Sequence, residues 1–304
     1  MKKKKDSATK NQRYMAIFLA ATMLLSVFVV FVNNNSKTDR DNDVPVPELD
    51  GNITTFAFSQ IQGKQVQHEF NSIADGLEMS PEGPVNALYV DLQKTRGTPL
   101  EMALGSIEMM NSFYGADVTK RYSTNYADGS GFELHQIPEQ KLAIPMDTRV
   151  YPYNDYQMLY RTNGTYNIWN VVGNPAVMGP IQSVRSVVDV LEGNATAASE
   201  YDQLLVLADP EDSIYQEVGT KTNLTDIPAD KYYRDLKKLD DGSYMQTSIF
   251  LNPKPELTEK ISTMQANCTE RGVAYSVTNE GEITKLVITA DFESLYAEDN
   301  LLLI

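Results

Sequence analysis

Phe70–Glu78 reads FNSIADGLE, and Val184–Glu192, 114 residues further on, reads VRSVVDVLE. Ser, Asp, Leu and Glu fall at the same places in both, with apolar residues at helical spacing between them. Three more pairs follow the same order at offsets of 113–117: Asn52-Ile53 with Asn167-Ile168, Ala87–Val90 (ALYV) with Leu204–Leu207 (LLVL), and Asp128-Gly129-Ser130 with Asp241-Gly242-Ser243. A fixed period repeated across four segments is the signature of an internal duplication.

Around these pairs, each half opens strand–helix–strand. Ile53–Ile61 alternates. Val66, Phe70, Ile73 and Leu77 stripe a helix over Lys64–Leu77, and Val85–Leu92 is a continuous apolar run, as in a strand buried on both faces. In the second half Ile181, Val184, Val188 and Leu191 form the stripe, Pro180 suits the helix start and Gly193 the stop. Further helices are expected at Leu100–Phe113 and at Glu256–Glu270, the latter striped by Leu257, Ile261, Met264 and Cys268. A hairpin is expected around Asn279-Glu280-Gly281. The order β-α-β-β-α-β is that of a ferredoxin-like unit. The fold class expected is therefore α+β: an N-terminal transmembrane helix followed by two duplicated ferredoxin-like α/β sandwich domains, at 52–162 and 163–304.

The transmembrane expectation comes from residues 1–32. Lys2, Lys3, Lys4, Lys5, Lys10 and Arg13 face only Asp6, and Tyr14–Val32 then carries no charge, Pro or Gly. Nineteen helical residues span about 28 Å, close to a hydrocarbon core of ~30 Å. Basic residues stay inside, so 1–13 reads as a cytoplasmic tail, 14–32 as an anchor in the lipid bilayer, and the chain beyond Val32 as extracytoplasmic. A cleaved signal peptide would need a shorter apolar run and a small-residue cleavage site, which Val29-Val30-Phe31-Val32 does not offer. Residues 33–51, rich in Asn, Asp and Pro, read as an acidic linker.

A net charge of −15 disfavours nucleic acid, whose phosphates need a basic surface. No HExxH, CxxC, Gly-rich phosphate loop or GxSxG occurs, so no motif asks for a metal or cofactor. There are two histidines. The helix phase turns His68 to solvent, and alternation with Phe132 and Leu134 turns His135 away from the apolar side. Cys268, the single cysteine, falls on an apolar stripe, where it acts as a small hydrophobe. Six sequons occur, of which Asn52, Asn163, Asn194 and Asn223 are the N-glycosylation candidates; Asn34 lies too near the expected membrane, and Asn267 adjoins a buried helix position. Tyr151, Tyr153, Tyr156, Tyr160, Tyr166 and Trp169 crowd into nineteen residues. The simpler reading is packing between the halves; the functional one is an interface for protein or glycan, since Tyr and Trp bury area while keeping a polar tip.

The basic start, the apolar run, the acidic tether, and the segments Phe70–Leu92 (FNSIADGLEMSPEGPVNALYVDL) and Ser243–Pro253 (SYMQTSIFLNP) resemble single-pass, membrane-anchored proteins of methanogenic archaea. That resemblance implies an archaeal cell envelope and no catalytic residues. The function expected is a membrane-anchored extracytoplasmic binding protein whose partner is an envelope protein or glycan. The alternatives are an extracytoplasmic hydrolase using carboxylates, which would need a convergent acid pair, and an accessory subunit of a membrane complex.

Overall fold

The structure is a computed structural model that describes residues 54–103, 111, 114–144, 147–162, 167–221 and 229–303. Its centre is one twelve-stranded sheet in which every neighbouring pair is antiparallel. From one edge the strands run Ala274–Glu280, Ile283–Ala290, Tyr244–Leu251, Lys231–Lys238 and Ser213–Thr220. The sheet continues without a break through Pro84–Asp91, Lys120–Tyr126, Gly131–Gln136, Ala176–Gly179, Asn167–Val171 and Tyr156–Thr162 to Asp147–Tyr153 at the other edge.

This corrects the expected fold. The protein is mostly β, not a pair of ferredoxin-like sandwiches, and the two halves share one sheet: Ser213–Thr220 pairs with Pro84–Asp91, from Tyr215 opposite Val90 to Gly219 opposite Asn86. The reason lies in the pairs used to align the halves. Leu204–Leu207 is no counterpart of the strand containing Ala87–Val90, because Asp202–Leu205 is a short helix and the second-half strand begins at Ser213. The two Asp-Gly-Ser stretches do turn equivalent hairpins, Lys120–Gln136 and Lys231–Leu251, in which Asp128 and Asp241 each accept from the backbone N–H two residues on, at 2.9 Å. These hairpins flank the central pair on either side and give the sheet a local two-fold appearance.

No described helix is long and apolar enough to cross a membrane. The transmembrane part of the expected fold is thus no part of the described architecture, and Tyr14–Val32, on which it rested, lies outside the described residues.

Both faces of the sheet are covered. On one, helices Ile73–Glu78, Ile181–Leu191 and Asp202–Leu205 set Ile73, Leu77, Val184, Val187, Val188 and Leu204 against Tyr89, Tyr122, Phe132, Val177 and Ile249. The helix at 73–78 sits so close that a Cβ on Gly76 would come within 2.3 Å of the Tyr122 ring. On the other face, helices Pro255–Ala266 and Phe292–Leu303 bring Leu257, Ile261 and Leu295 onto Phe250, Leu286 and Ile288. Further along that face, Phe58 and Leu142, carried by the small paired strands Thr54–Ala57 and Lys141–Ile144 and the turn beside them, close over Val90, Ile137 and Leu159.

Two local expectations also change. The helical stripe over Lys64–Leu77 is realised only as Ile73–Glu78, capped by Ser72, whose hydroxyl accepts from Asp75 N–H; upstream, Val66–Gln67 is a short strand parallel to Gly173–Asn174. Cys268 lies just past the helix Pro255–Ala266 and is only partly buried, because that helix ends at Ala266.

Candidate functional site

Covering both faces of the sheet changes the reading of His135. It points away from Phe132 and Leu134 as alternation requires, but that side is a second core, so His135 is wholly buried. With it are Glu133, also fully buried, and Arg121, 5% exposed, on the neighbouring strand. Arg121 donates to Glu133 through Nη2, and His135 Nε2 lies 2.9 Å from the other Glu133 oxygen. The Tyr114 hydroxyl is 2.8 Å from His135 Nδ1, and Asn170 Nδ2 reaches that hydroxyl at 3.5 Å. Burial pushes the Glu133 carboxyl up, but Arg121 and His135 together outweigh it and hold the group down at about 2. His135 thus bridges the two groups, Nε2 facing the ionised Glu133 and Nδ1 facing the Tyr114 hydroxyl. The order acid–imidazole–phenol has the connectivity of a proton relay. Its members are all buried and none of them lines the groove described next, and the Arg121–Glu133 pair ties strand Lys120–Tyr126 to strand Gly131–Gln136.

A groove open to solvent lies at the ends of the same strands. Its volume is about 580 Å³, and it gathers side chains from four separate segments: Gln67 to Asn71, Thr119 and Lys120, Gln136, and Asn174. The parallel pairing of Val66–Gln67 with Gly173–Asn174 builds its wall, and only glycine fits at 173, since a Cβ there would come within 2.4 Å of both Val66 N and Val66 O. Lys120 Nζ is held by Phe70 O at 3.1 Å and Asn71 Oδ1 at 2.7 Å, and Gln136 Nε2 donates to Asn174 Oδ1. His68, expected on a helix, is in this wall, half-buried, with Nδ1 2.8 Å from Glu69 O and Nε2 3.5 Å from a Glu78 oxygen. The two histidines are therefore not brought together. Sequence reasoning places no site here; the signal that could have found it is the run Gln65–Asn71, too polar for a core helix drawn through it.

The aromatic cluster divides. Tyr156 is buried, and its hydroxyl donates to Glu192 at 2.9 Å; Tyr153 donates to both Asp189 oxygens at 3.0 Å and lies under Arg185. These two fasten the edge hairpin to helix Ile181–Leu191 and act as packing. Tyr151, Trp169 and Tyr160 instead stack across three adjacent strands, with ring centroids 5.2 and 4.8 Å apart. Tyr151 is 42% exposed, and Val150, on the opposite face of the same terminal strand, is 53% exposed. Tyr166 lies outside the described residues. Of the sequon candidates, Asn194 is exposed beyond the end of its helix, while Asn52, Asn163 and Asn223 lie outside the described residues.

The buried acids do not converge on one another. Glu133 pairs with Arg121, Glu298 with Arg271 at 2.6 Å, and Asp235 with the Tyr233 hydroxyl at 2.9 Å, while Asp91 accepts from the backbone N–H groups of Gln93 and Lys94 at 3.0 and 3.1 Å. Among the described residues no group of three or more His, Cys, Asp or Glu is placed to hold a metal.

Against known proteins, residues 69–192 match the model of AF_2048_N, a family N-terminal domain with an archaeal name. Of the segments carrying the archaeal resemblance, Phe70–Leu92 lies wholly inside that match and Ser243–Pro253 outside it. No curated protein matches the chain. A solved structure described as "Structure of crystal form I of TP0453" is similar at 9% identity, covering 75% of this chain and 97% of that one, with a TM-score of 0.40.

Proposed function

We propose that the protein is an extracytoplasmic interaction module of an archaeal cell envelope, and that it meets an envelope protein or glycan through the Tyr151–Trp169–Tyr160 stack. The observation that carries this reading is the position of the stack. It lies at the terminal strand of the sheet, where Tyr151 and Val150 leave apolar surface exposed on both faces, and Pro152 in the same strand removes a backbone donor from the edge. An aromatic stack with polar tips suits recognition; Tyr151 is exposed, Trp169 and Tyr160 are partly buried behind it, and the Tyr160 hydroxyl is oriented by Asn167 Oδ1 at 2.8 Å. Buried acids that are each held by their own separate partners, Asp91 by the backbone N–H groups of Gln93 and Lys94 and the others by a cation or hydroxyl, give a carboxylate hydrolase no comparable support.

Trp169 is the only tryptophan, so its fluorescence reports on the proposed surface directly. Titrating the protein with a purified envelope fraction should shift and quench that emission; Tyr151→Ala should weaken the response, and Val150→Ser, on the opposite face, should not, with the far-UV spectrum unchanged in both. An unchanged Trp169 spectrum, or equal responses from the variants, would refute the assignment.

A further inference from the structure

The groove beside Lys120 has a chemistry distinct from that of the aromatic edge. Four of its nine lining residues are carboxamides, and three of them are pinned at one end only. Asn71 offers its Oδ1 to Lys120, a contact that leaves its amide N–H groups unspent; Asn174 gives its Oδ1 to Gln136, leaving its own N–H groups; Gln136 spends a donor on Asn174 and keeps its Oε1. An acceptor on Gln136 and a donor on Asn174 therefore stand side by side, held in register by the hydrogen bond between them, with Gln67 alongside.

We propose that this groove binds a neutral, hydroxyl-rich ligand: a sugar ring. A hydroxyl both donates and accepts, so it can satisfy the Gln136 oxygen and the Asn174 amide at once, and adjacent hydroxyls on a ring repeat that pattern toward Asn71 and Lys120. Charge argues against an anion. The Lys120 ammonium is already met by two oxygens, Glu69 offsets it within the same lining, and the chain as a whole carries −15. A peptide added as a strand is disfavoured because the neighbouring backbone is already used: Val66 N–H donates to Val172 O at 3.1 Å and His68 N–H to Asn174 O at 3.0 Å. The volume of about 580 Å³ falls within the roughly 300–1,000 Å³ of small-ligand sites.

The test is saturation-transfer NMR on the full chain with glucose, galactose, mannose and N-acetylglucosamine, each as the free sugar and as its methyl glycoside, and with inorganic phosphate and glucuronate as anionic probes. Transfer to at least one neutral sugar with a dissociation constant near the millimolar range is expected, together with about a tenfold loss on Gln136→Ala or Asn174→Ala. Binding of the methyl glycoside as well as the free sugar would mark the end of a surface glycan as the source; binding of the free sugar alone would mark a soluble one, and both support the site. Thermal melts confirm that the variants fold, and the exposed Gln67→Ala provides a third variant that does not touch the paired amides. Silence from every neutral sugar, transfer that persists in the Gln136→Ala/Asn174→Ala double variant, or preference for phosphate or glucuronate would overturn the proposal.

Discussion

Two buried carboxylates a few strands apart respond to pH with opposite signs. Glu133, held low by Arg121 and His135 against its burial, contributes stability that is present above its unfolded value and lost as pH falls toward about 2. Asp235 is pushed up by burial to about 6, with the Tyr233 hydroxyl, Lys237 and Thr247 opposing the rise only in part. Its contribution is fully present below the unfolded value of 3.8 and is lost as pH rises through 6, a change on the order of 3 kcal/mol. Urea titrations at pH 4, 5.5 and 7 should therefore show Asp235→Asn gaining on the natural protein as pH rises; parallel curves for the two would disprove the assignment. Removing Arg121 alone leaves Glu133 buried beside His135 without its guanidinium, so Arg121→Met should cost about 3–5 kcal/mol, and the Arg121→Met/Glu133→Leu pair distinctly less. A double-mutant cycle by chemical denaturation measures the difference. Neither group was legible from sequence. Alternation in Gly131–Gln136 gave the correct side for His135, but nothing local states that a second layer, built from Phe58 and Leu142, covers that side.

Among the elements, the strongest sequence signals were helical stripes with clean ends: Ile181–Leu191 and the start of Pro255–Ala266 lie where periodicity put them. The stripe over Lys64–Leu77 misled because Val66 is buried by a strand contact with Gly173 and not by a helix face, and burial looks the same to a periodicity count. The aromatic crowding of 151–169 was visible, but its division was not. Tyr153 and Tyr156 are committed by Asp189 and Glu192, residues of the helix region that only the tertiary fold brings near. The groove wall depends on Gly173. Gly173→Ala should cost about 1–3 kcal/mol through forced displacement of the Val66 backbone, and hydrogen exchange at the Val66 and His68 amides should quicken ahead of exchange in the central strands. Uniform acceleration across the sheet would show instead that the wall has no separate stability.

Across the molecule, the sheet makes the halves mutually dependent. Pro84–Asp91 is central, with Lys120–Tyr126 on one side and Ser213–Thr220 on the other. Residues 52–162 expressed alone would expose that edge and lose the helix Ile181–Leu191 from one face, so they should aggregate, while the intact chain should unfold in one calorimetric transition. Two resolved transitions, or a soluble folded fragment, would contradict this. The same central pairing also sets a timetable. Its partners are 125 to 133 residues apart in the chain, so no ribosome or export channel can release the middle of the sheet as a finished piece. Strand Pro84–Asp91 must wait, already flanked by its own hairpin, until most of the polypeptide has emerged to complete it. Long-range closure of this kind is slow compared with hairpin formation, and the waiting strand is the surface a chaperone would need to shield.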